Sequence, residues 1–405
     1  MVDGRVHMNE HTEPQYLLGR RKLLAAAGLT AAGAVWTVAG GGTAQAAPRV
    51  TPRAVSQLSA RTRTAAGSAL VVPADSLPHT RTWMAWPDNA KIWTGRGALA
   101  AVQKNIALIA NTIAKYEPVF VCANAASVAA ARKACNARNV TVIGTIPVDD
   151  CWMRDSGPIF RTDGAGGLDA VGLNFNGWGN KQTHANDALV AGRIAAYVGV
   201  PFTAAGLVSE GGAIETDGDG TLMATRSSII NSNRNPRMTQ AQIESAMCAA
   251  YGASKVIWFT GISGQDITDD HVDATSRFLG DGSGLVQMPL STDTDVWSND
   301  ERQQYKALSA ATDAQGVPMQ VTQLQGPDYN RIRSTNPDFV GSYANYYLCN
   351  GAVISAQFGD TNADNAAYDS LSALFPDRVV EQLDIDALGA GGGGIHCVTQ
   401  QQPAV

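Results

Sequence analysis

The sequence predicts an α/β fold in which strands, often paired, alternate with helices. Three observations lead there. From about residue 68 onward, strand-like and helix-like segments alternate. Helical segments recur at 98–116, 124–136, 184–197, 238–251, 298–313 and 361–374. The strands between them often come two together. A radial α/β repeat of about five units suits this order, and a doubly wound sheet suits it almost as well.

The start of the chain lies outside that pattern. Arg20-Arg21-Lys22 precedes the apolar run Leu23-Leu24-Ala25-Ala26-Ala27, and Ala44-Gln45-Ala46 offers small residues for cleavage. A basic stretch, an apolar core and an A-x-A site read as a secretory signal peptide over residues 1–46. The paired arginines point to the twin-arginine route and to a secreted, extracytoplasmic protein. The apolar run is short and glycine-interrupted for a membrane span, so no stable membrane association is expected after cleavage. Residues 47–67, rich in Ala, Ser, Thr and Arg without a sustained period, read as a linker.

The 405-residue chain carries 30 basic and 36 acidic residues. Removing residues 1–46, with their four basic and three acidic residues, leaves 26 and 33 and a formal charge of −7. That balance argues against nucleic acid as a partner and favours a cationic one. The remaining length is enough for a large core, as one big domain or two small ones.

The elements then follow in order. Ala98 to Tyr116 places Val102, Ile106, Ile109 and Ile113 on one helical face. Pro118 ends that run, and Val119 to Cys122 follows as a strand. Val171, Leu173 and Phe175 alternate with polar neighbours, as in a half-buried strand. Thr221 to Ile230 and Tyr346 to Phe358 read as strands or hairpins, the latter turning at Asn350-Gly351.

Six cysteines are present, at positions 122, 135, 151, 248, 349 and 397. None forms a C-x-x-C pair, so a zinc ribbon is not expected. Cys122, inside an apolar run, reads as a small buried hydrophobe, and no disulfide is assigned. Cys397 is the best nucleophile candidate. It follows the glycine-rich stretch GAGGGGIHC, and glycines let a tight turn approach a ligand closely. A flexible linker before a buried terminal strand is the plainer reading.

Of six histidines, His7 and His11 fall in the signal. His79 and His184 read as structural. His271 lies in Asp269-Asp270-His271-Val272-Asp273-Ala274-Thr275. Taken as a strand, this segment puts His271, Asp273 and Thr275 on one face, with Asp266 just before. It reads as a cation site with its own proton carrier, or as a solvated acidic loop. In an extended segment His396 points away from whatever Cys397 faces, and so reads as structural.

Two further clusters stand out. Residues 148–158, Val-Asp-Asp-Cys-Trp-Met-Arg-Asp-Ser-Gly-Pro, mix Trp152 and Arg154 with three aspartates, and Trp152 and Trp178 could wall a pocket for a flat cation. Glu210-Gly211-Gly212 permits another close backbone approach. No credible metal set is present. A thiol, a histidine and carboxylates that can grip a guanidinium suit hydrolysis of a guanidine to a ureido group and ammonia.

At these residues the chain resembles the agmatine deiminase / bacterial-type (Porphyromonas-type) peptidylarginine deiminase family, within the guanidine-modifying (pentein) superfamily. The likeness runs from about Trp83 to Pro403. Its landmarks are Met84-Ala85-Trp86-Pro87, Trp152 to Pro158, Asn174 to Gly179, Glu210-Gly211-Gly212, His271-Val272-Asp273, Ser342 to Asn345 and Gly394-Ile395-His396-Cys397. The resemblance implies a five-bladed α/β propeller of ββαβ-type units around a pseudo-fivefold axis, with residues 68–405 forming one catalytic domain.

It also implies roles. Cys397 would be the nucleophile and His271 the general acid and base. Asp155 and Asp273 would clamp the guanidinium, with Glu210 beside them. Asn345, Trp86, Trp152, Trp178 and Gly394 would line the substrate pocket. The implied reaction runs through a covalent thiouronium intermediate and needs no metal or organic cofactor.

Agmatine, converted to N-carbamoylputrescine, is the first expected substrate, and arginine in peptides or proteins is the alternative. A cysteine peptidase using Cys397, His271 and Asn345, or a guanidinium-binding protein without turnover, are the readings from other classes. Two departures bear on the substrate. Asp270 stands where close relatives of agmatine deiminase usually have glycine, and Asp266-Ile267-Thr268 replaces the usual Asp-Glu-Thr. Arg161 and Arg234 are candidates to receive a substrate carboxylate. The sequence leaves the oligomeric state open.

Overall fold

The structure is a computed structural model that describes residues 69–405. The expected signal and linker lie outside the described residues. The strands form five separate sheets, one of four strands and four of three. The chain is therefore a five-module α/β propeller, and the doubly wound alternative falls because no single sheet runs through the described residues.

Four modules share one plan. A short antiparallel hairpin is followed by a helical crossover to a third strand that pairs in parallel with the second. In one, Ile159–Thr162 pairs with Leu168–Gly172, and helix Asp187–Val198 leads to Phe202–Ala204. In the next, Ile214–Thr216 and Thr221–Thr225 precede helix Gln240–Tyr251 and strand Lys255–Phe259. A parallel pair needs such a crossover because its strands run the same way.

The remaining module is closed by the end of the chain. His79–Ala85 pairs antiparallel with Gln400–Pro403, in a register that sets Trp83 against Gln400. It pairs in parallel with Val119–Cys122 across helix Ala98–Ile113, and Val140–Ile143 adds a fourth strand. The terminal strand thus ties the last module to the first.

Helix Ala98–Ile113 buries Val102, Ile106, Ile109 and Ile113, the face its periodicity predicts. Each such side chain contributes about 1.5–3 kcal/mol of burial. Apolar clusters also join modules: Met223 and Phe259 of one meet Phe278, Val286 and Leu308 of the next. The hairpin at Asn350-Gly351 forms as expected, with Gly351 at a φ of +79°.

Two strand expectations need correction. Thr221–Thr225 is a strand, but Arg226–Ile229 is a helical turn. Leu168–Gly172 ends before Leu173 and Phe175, and Asp169 to Gly172 are all buried. That strand is covered on both sides, so an alternation of exposure does not describe it.

One positional rule organises the site. A short turn precedes the first strand of every hairpin, and another precedes the terminal strand. These turns are Met153–Ser156, Gly211–Ala213, Val272–Ala274, residues 342–345 and His396–Val398. The candidate catalytic residues lie in or beside these turns.

Candidate active site

A single cavity is lined by Cys397, His271, Asp155, Asp273, Asn345 and Trp152, among others. Sγ of Cys397 lies 3.3 Å from Nδ2 of Asn345 and 3.8 Å from Oδ2 of Asp273. His271 places Nε2 3.3 Å from Oε2 of Glu210 and Nδ1 3.8 Å from Oδ1 of Asp155. Asp155 accepts from Nε1 of Trp178 at 2.9 Å and from the amide of Gly212 at 3.1 Å.

Gly212 explains how these groups converge. A Cβ there would stand 2.8 Å from Nδ1 of His271, 2.9 Å from Oδ1 of Asp155 and 3.1 Å from Oδ2 of Asp273. Any side chain would push the base and both clamp carboxylates aside. The glycines before Cys397 serve the same end. A Cβ on Gly393 would strike the Trp152 ring, and one on Gly394 would strike Oδ1 of Asn345. The run is bare so that the wall and the thiol's amide partner can pack against its backbone. Only Gly392 of the four also needs a positive φ, of +96°.

The charges are set by burial and by one another. Burial raises Asp155 to about 6; His271 and Trp178 oppose this, while Glu210 and Asp273 add to it. For His271 burial alone would favour the neutral ring, yet Asp155, Glu210 and Asp273 raise it to about 9. Burial likewise works against ionised Glu210, but Arg234 and His271 outweigh it and hold the carboxyl below its usual range. Asp273 is also held low despite burial, chiefly by its hydrogen bond from His396. Burial, then Asp273 and Asp155, push the Cys397 thiol well above its usual value. The free protein therefore holds a protonated histidine, a neutral thiol and a net negative pocket.

Among the described residues, one polar atom of the cavity lining is left over. Oδ1 of Asp273 is buried and has no hydrogen-bond partner among the described residues. Such an atom is costly unless a ligand completes it.

The sequence profile of the Porphyromonas-type peptidyl-arginine deiminases matches residues 71–403. The chain belongs to this deiminase family. The agmatine deiminase of Stutzerimonas stutzeri is 34% identical over 363 residues, spanning 82% of this chain and 95% of that protein. That of Medicago truncatula is 32% identical over 370 residues, spanning 82% and 96%. Among solved structures, the agmatine deiminase of Enterococcus faecalis aligns with a TM-score of 0.76 at 27% identity, over 82% of this chain and 96% of that one. As a deiminase, the protein is a hydrolase of carbon–nitrogen bonds, and the peptidase and non-catalytic readings fall.

Within this deiminase, the expected site residues separate into three groups. Cys397, His271, Asp155, Asp273, Asn345, Trp152 and Trp178 line the cavity. Glu210 stands behind His271 and touches it without lining the space. Gly394 sits behind Asn345. Trp86 does not reach the cavity: it is buried in the apolar cluster that also holds Trp93 and Trp152.

Of the aspartates in 148–158, only Asp155 faces the cavity. Asp150 accepts from Nε1 of both Trp93 and Trp152, at 2.7 and 2.9 Å, and so orients the wall. Asp149 accepts from the amides of Asn186 and Asp187 at the start of the next helix.

Segment 269–275 is no strand. His271 is extended, and Val272–Ala274 forms a tight turn that brings His271 and Asp273 to one side without a period of two. Asp270 has a φ of +74°, a backbone region suited to glycine and tolerated by aspartate at about 1–2 kcal/mol. The segment at 396–398 is a tight turn as well. His396 therefore does not point away from the site: its Nδ1 lies 2.7 Å from the same Asp273 oxygen that Cys397 approaches.

Arg161 and Arg234 are both engaged elsewhere. Arg161 pairs with Asp169. Arg234 bridges Glu210 at 2.9 Å and Asp269 at 2.8 Å, wholly buried. Its role in holding Glu210 was missed. A polar run, Asn231-Ser232-Asn233-Arg234-Asn235-Pro236, directly after the apolar pair Ile229-Ile230, is the available signal. The six cysteines are free thiols.

Proposed function

We propose that this deiminase hydrolyses agmatine to N-carbamoylputrescine and ammonia, with Cys397 as nucleophile. The observation that carries the reading is the unpartnered Oδ1 of Asp273 in a cavity lined by five aspartates, Asp155, Asp266, Asp270, Asp273 and Asp338, and by no lysine or arginine. A guanidinium placed there supplies the missing donors and the missing positive charge.

The reaction follows from that placement. The bound cation offsets Asp155 and Asp273, the carboxylates that oppose ionisation of Cys397, so the thiol loses its proton to solvent as the substrate binds. The thiolate attacks the guanidinium carbon and forms a C–S bond. His271, held protonated, gives its proton to the departing nitrogen, and the C–N bond breaks with release of ammonia. Water then loses a proton to His271 and attacks the thiouronium carbon. The C–S bond breaks, the adduct's hydroxyl gives its proton to solvent, the ureido product leaves and the thiolate is restored. Glu210 holds the ring in place and favours its protonated form before ammonia leaves and after water has given up its proton, and Asn345 donates to the sulfur.

The same lining favours agmatine among the candidate substrates. Free arginine and peptides ending in arginine carry a carboxylate near the guanidine, and no lysine or arginine of the cavity wall receives it. Agmatine ends in an ammonium, which suits the aspartates. Ammonia and ureido product should be measured from the full-length protein offered agmatine, free arginine and internal-arginine peptides. Turnover of agmatine in preference supports the reading. Preference for peptides replaces it with protein or peptide citrullination.

We also propose export by the twin-arginine route, on the strength of Arg20-Arg21-Lys22 and Ala44-Gln45-Ala46. Protein recovered outside the cytoplasm and beginning at residue 47 would support it. Intact protein confined to the cytoplasm would contradict it.

A further inference from the structure

Behind the nucleophile lies a buried network that the mechanism above does not use. Its first member comes from the segment that precedes the propeller. That segment crosses several modules: Val71 bridges to Thr162, the amide of Val72 bonds to Tyr251, and Arg378 donates to the carbonyl of Ser76 at 2.6 Å. It delivers the carboxylate of Asp75 to the back of the site.

Asp75 meets Nη2 of Arg277 at 3.1 Å and Nε2 of His396 at 3.2 Å. The other ring nitrogen of His396 lies 2.7 Å from Oδ2 of Asp273. Glu215 stands 3.8 Å from Nε2, and Nε of Arg277 lies 2.8 Å from Glu215. The carboxylates of Asp75 and Glu215 with His396 resemble a metal-binding trio. The Arg277 guanidinium already fills that role, so a metal ion has no place there.

A ring whose two nitrogens both face carboxylates satisfies both only with a proton on each nitrogen, and it then carries a positive charge. That charge lies against Asp273, whose negative charge 3.8 Å from the sulfur opposes thiolate formation. We propose that Asp75 and His396 are positioning residues for the nucleophile. Asp75 holds His396, His396 engages one oxygen of Asp273, and the other oxygen is left free for the substrate cation. The proposal rests on Cys397 being the nucleophile.

The test reads the thiol directly and needs no turnover. Full-length wild type, Asp75→Asn, His396→Gln and the double variant are treated with iodoacetamide at about pH 8.5, where rate follows the thiolate fraction. Labelling of the Cys397 peptide is followed by mass spectrometry, with the half-buried Cys248 as the internal control for an intact fold. His396→Gln should slow Cys397 labelling about tenfold, one pKa unit. Asp75→Asn should slow it about three- to tenfold, although removing a negative charge would by itself speed it. Asp75→Asn should give no further slowing when added to His396→Gln.

Faster or unchanged labelling in Asp75→Asn overturns the proposal. So does equal slowing by Asp75→Asn with and without His396. Should His396→Gln fail to fold, the sign of the Asp75→Asn effect decides alone. Wild type that labels as expected but turns over no guanidine would defeat the functional reading and leave this one standing.

Discussion

Nε2 of His271 stands 3.3 Å from Oε2 of Glu210, and Nε of Arg234 holds the other oxygen of that carboxylate at 2.9 Å. The acid that steadies the catalytic ring is itself steadied by a buried arginine. This chain fixes both the protonation of His271 and the direction in which its other nitrogen points.

A pH profile follows. Asp155 must be ionised to grip a cation, and burial has raised it to about 6. His271 must be protonated to release ammonia, and despite burial its carboxylate neighbours raise it to about 9. Divided by the thiolate fraction of Cys397, which alkylation rates measure, kcat/KM for agmatine should rise with pH through about 6 and fall above about 9. An alkaline limb near the ordinary histidine value would show that Glu210 and Asp155 do not hold the proton on the ring.

Replacing Arg234 should act on stability. Arg234→Met leaves Glu210 and Asp269 buried without their bridging cation. Removing one partner of a buried pair costs about 3–5 kcal/mol. The denaturant midpoint should fall accordingly, and a change below about 0.5 kcal/mol, the range of ordinary surface substitutions, would contradict the account.

Gly212→Ala should act on chemistry. The new methyl group must displace His271, Asp155 or Asp273 by a few tenths of an ångström or more. Misplacement on the order of 1 Å costs about 100-fold in rate. A large loss of kcat with a melting temperature close to wild type is expected, and near-normal kcat would mean the three groups are not held as described.

Trp178→Phe keeps the ring and deletes the donor that lies 2.9 Å from Asp155. A hydrogen bond to a charged group is worth about 1.5–3 kcal/mol, so kcat/KM at neutral pH should fall about 10- to 100-fold. The acid limb of the profile should move to higher pH, because the ionised form of Asp155 has lost support. An unmoved limb would remove Trp178 from the clamp.

Much of the site was legible because its residues are chemically rare. Few histidines and a terminal cysteine after bare glycines narrowed the search, and the landmark order supplied the remaining roles. The five modules were legible as alternating elements, but their closure was not. The pairing of Trp83 with Gln400 joins residues at opposite ends of the described chain, and no local pattern announces it.

The misreadings share a cause. Spacing places His271 and His396 in extended strands, whereas His271 borders and His396 opens a turn of a few residues that precedes a strand. Tight turns have no period, so the facing of their side chains cannot be read from spacing. Trp86 belongs to a landmark motif yet packs inward, since a tryptophan at the end of a buried strand serves the core as readily as a pocket. Asp75 lies in a segment without regular structure, and only the folded ring shows what it touches.

The most direct measurement is rapid acid quenching of wild-type protein mixed with agmatine, followed by mass analysis of the peptide that contains Cys397. The account predicts a transient adduct on Cys397 with the mass of agmatine less ammonia, formed with a stoichiometric release of ammonia and absent in Cys397→Ser, which should not turn over. Full turnover by Cys397→Ser, or ammonia release with no adduct on that peptide at any quench time, would contradict it.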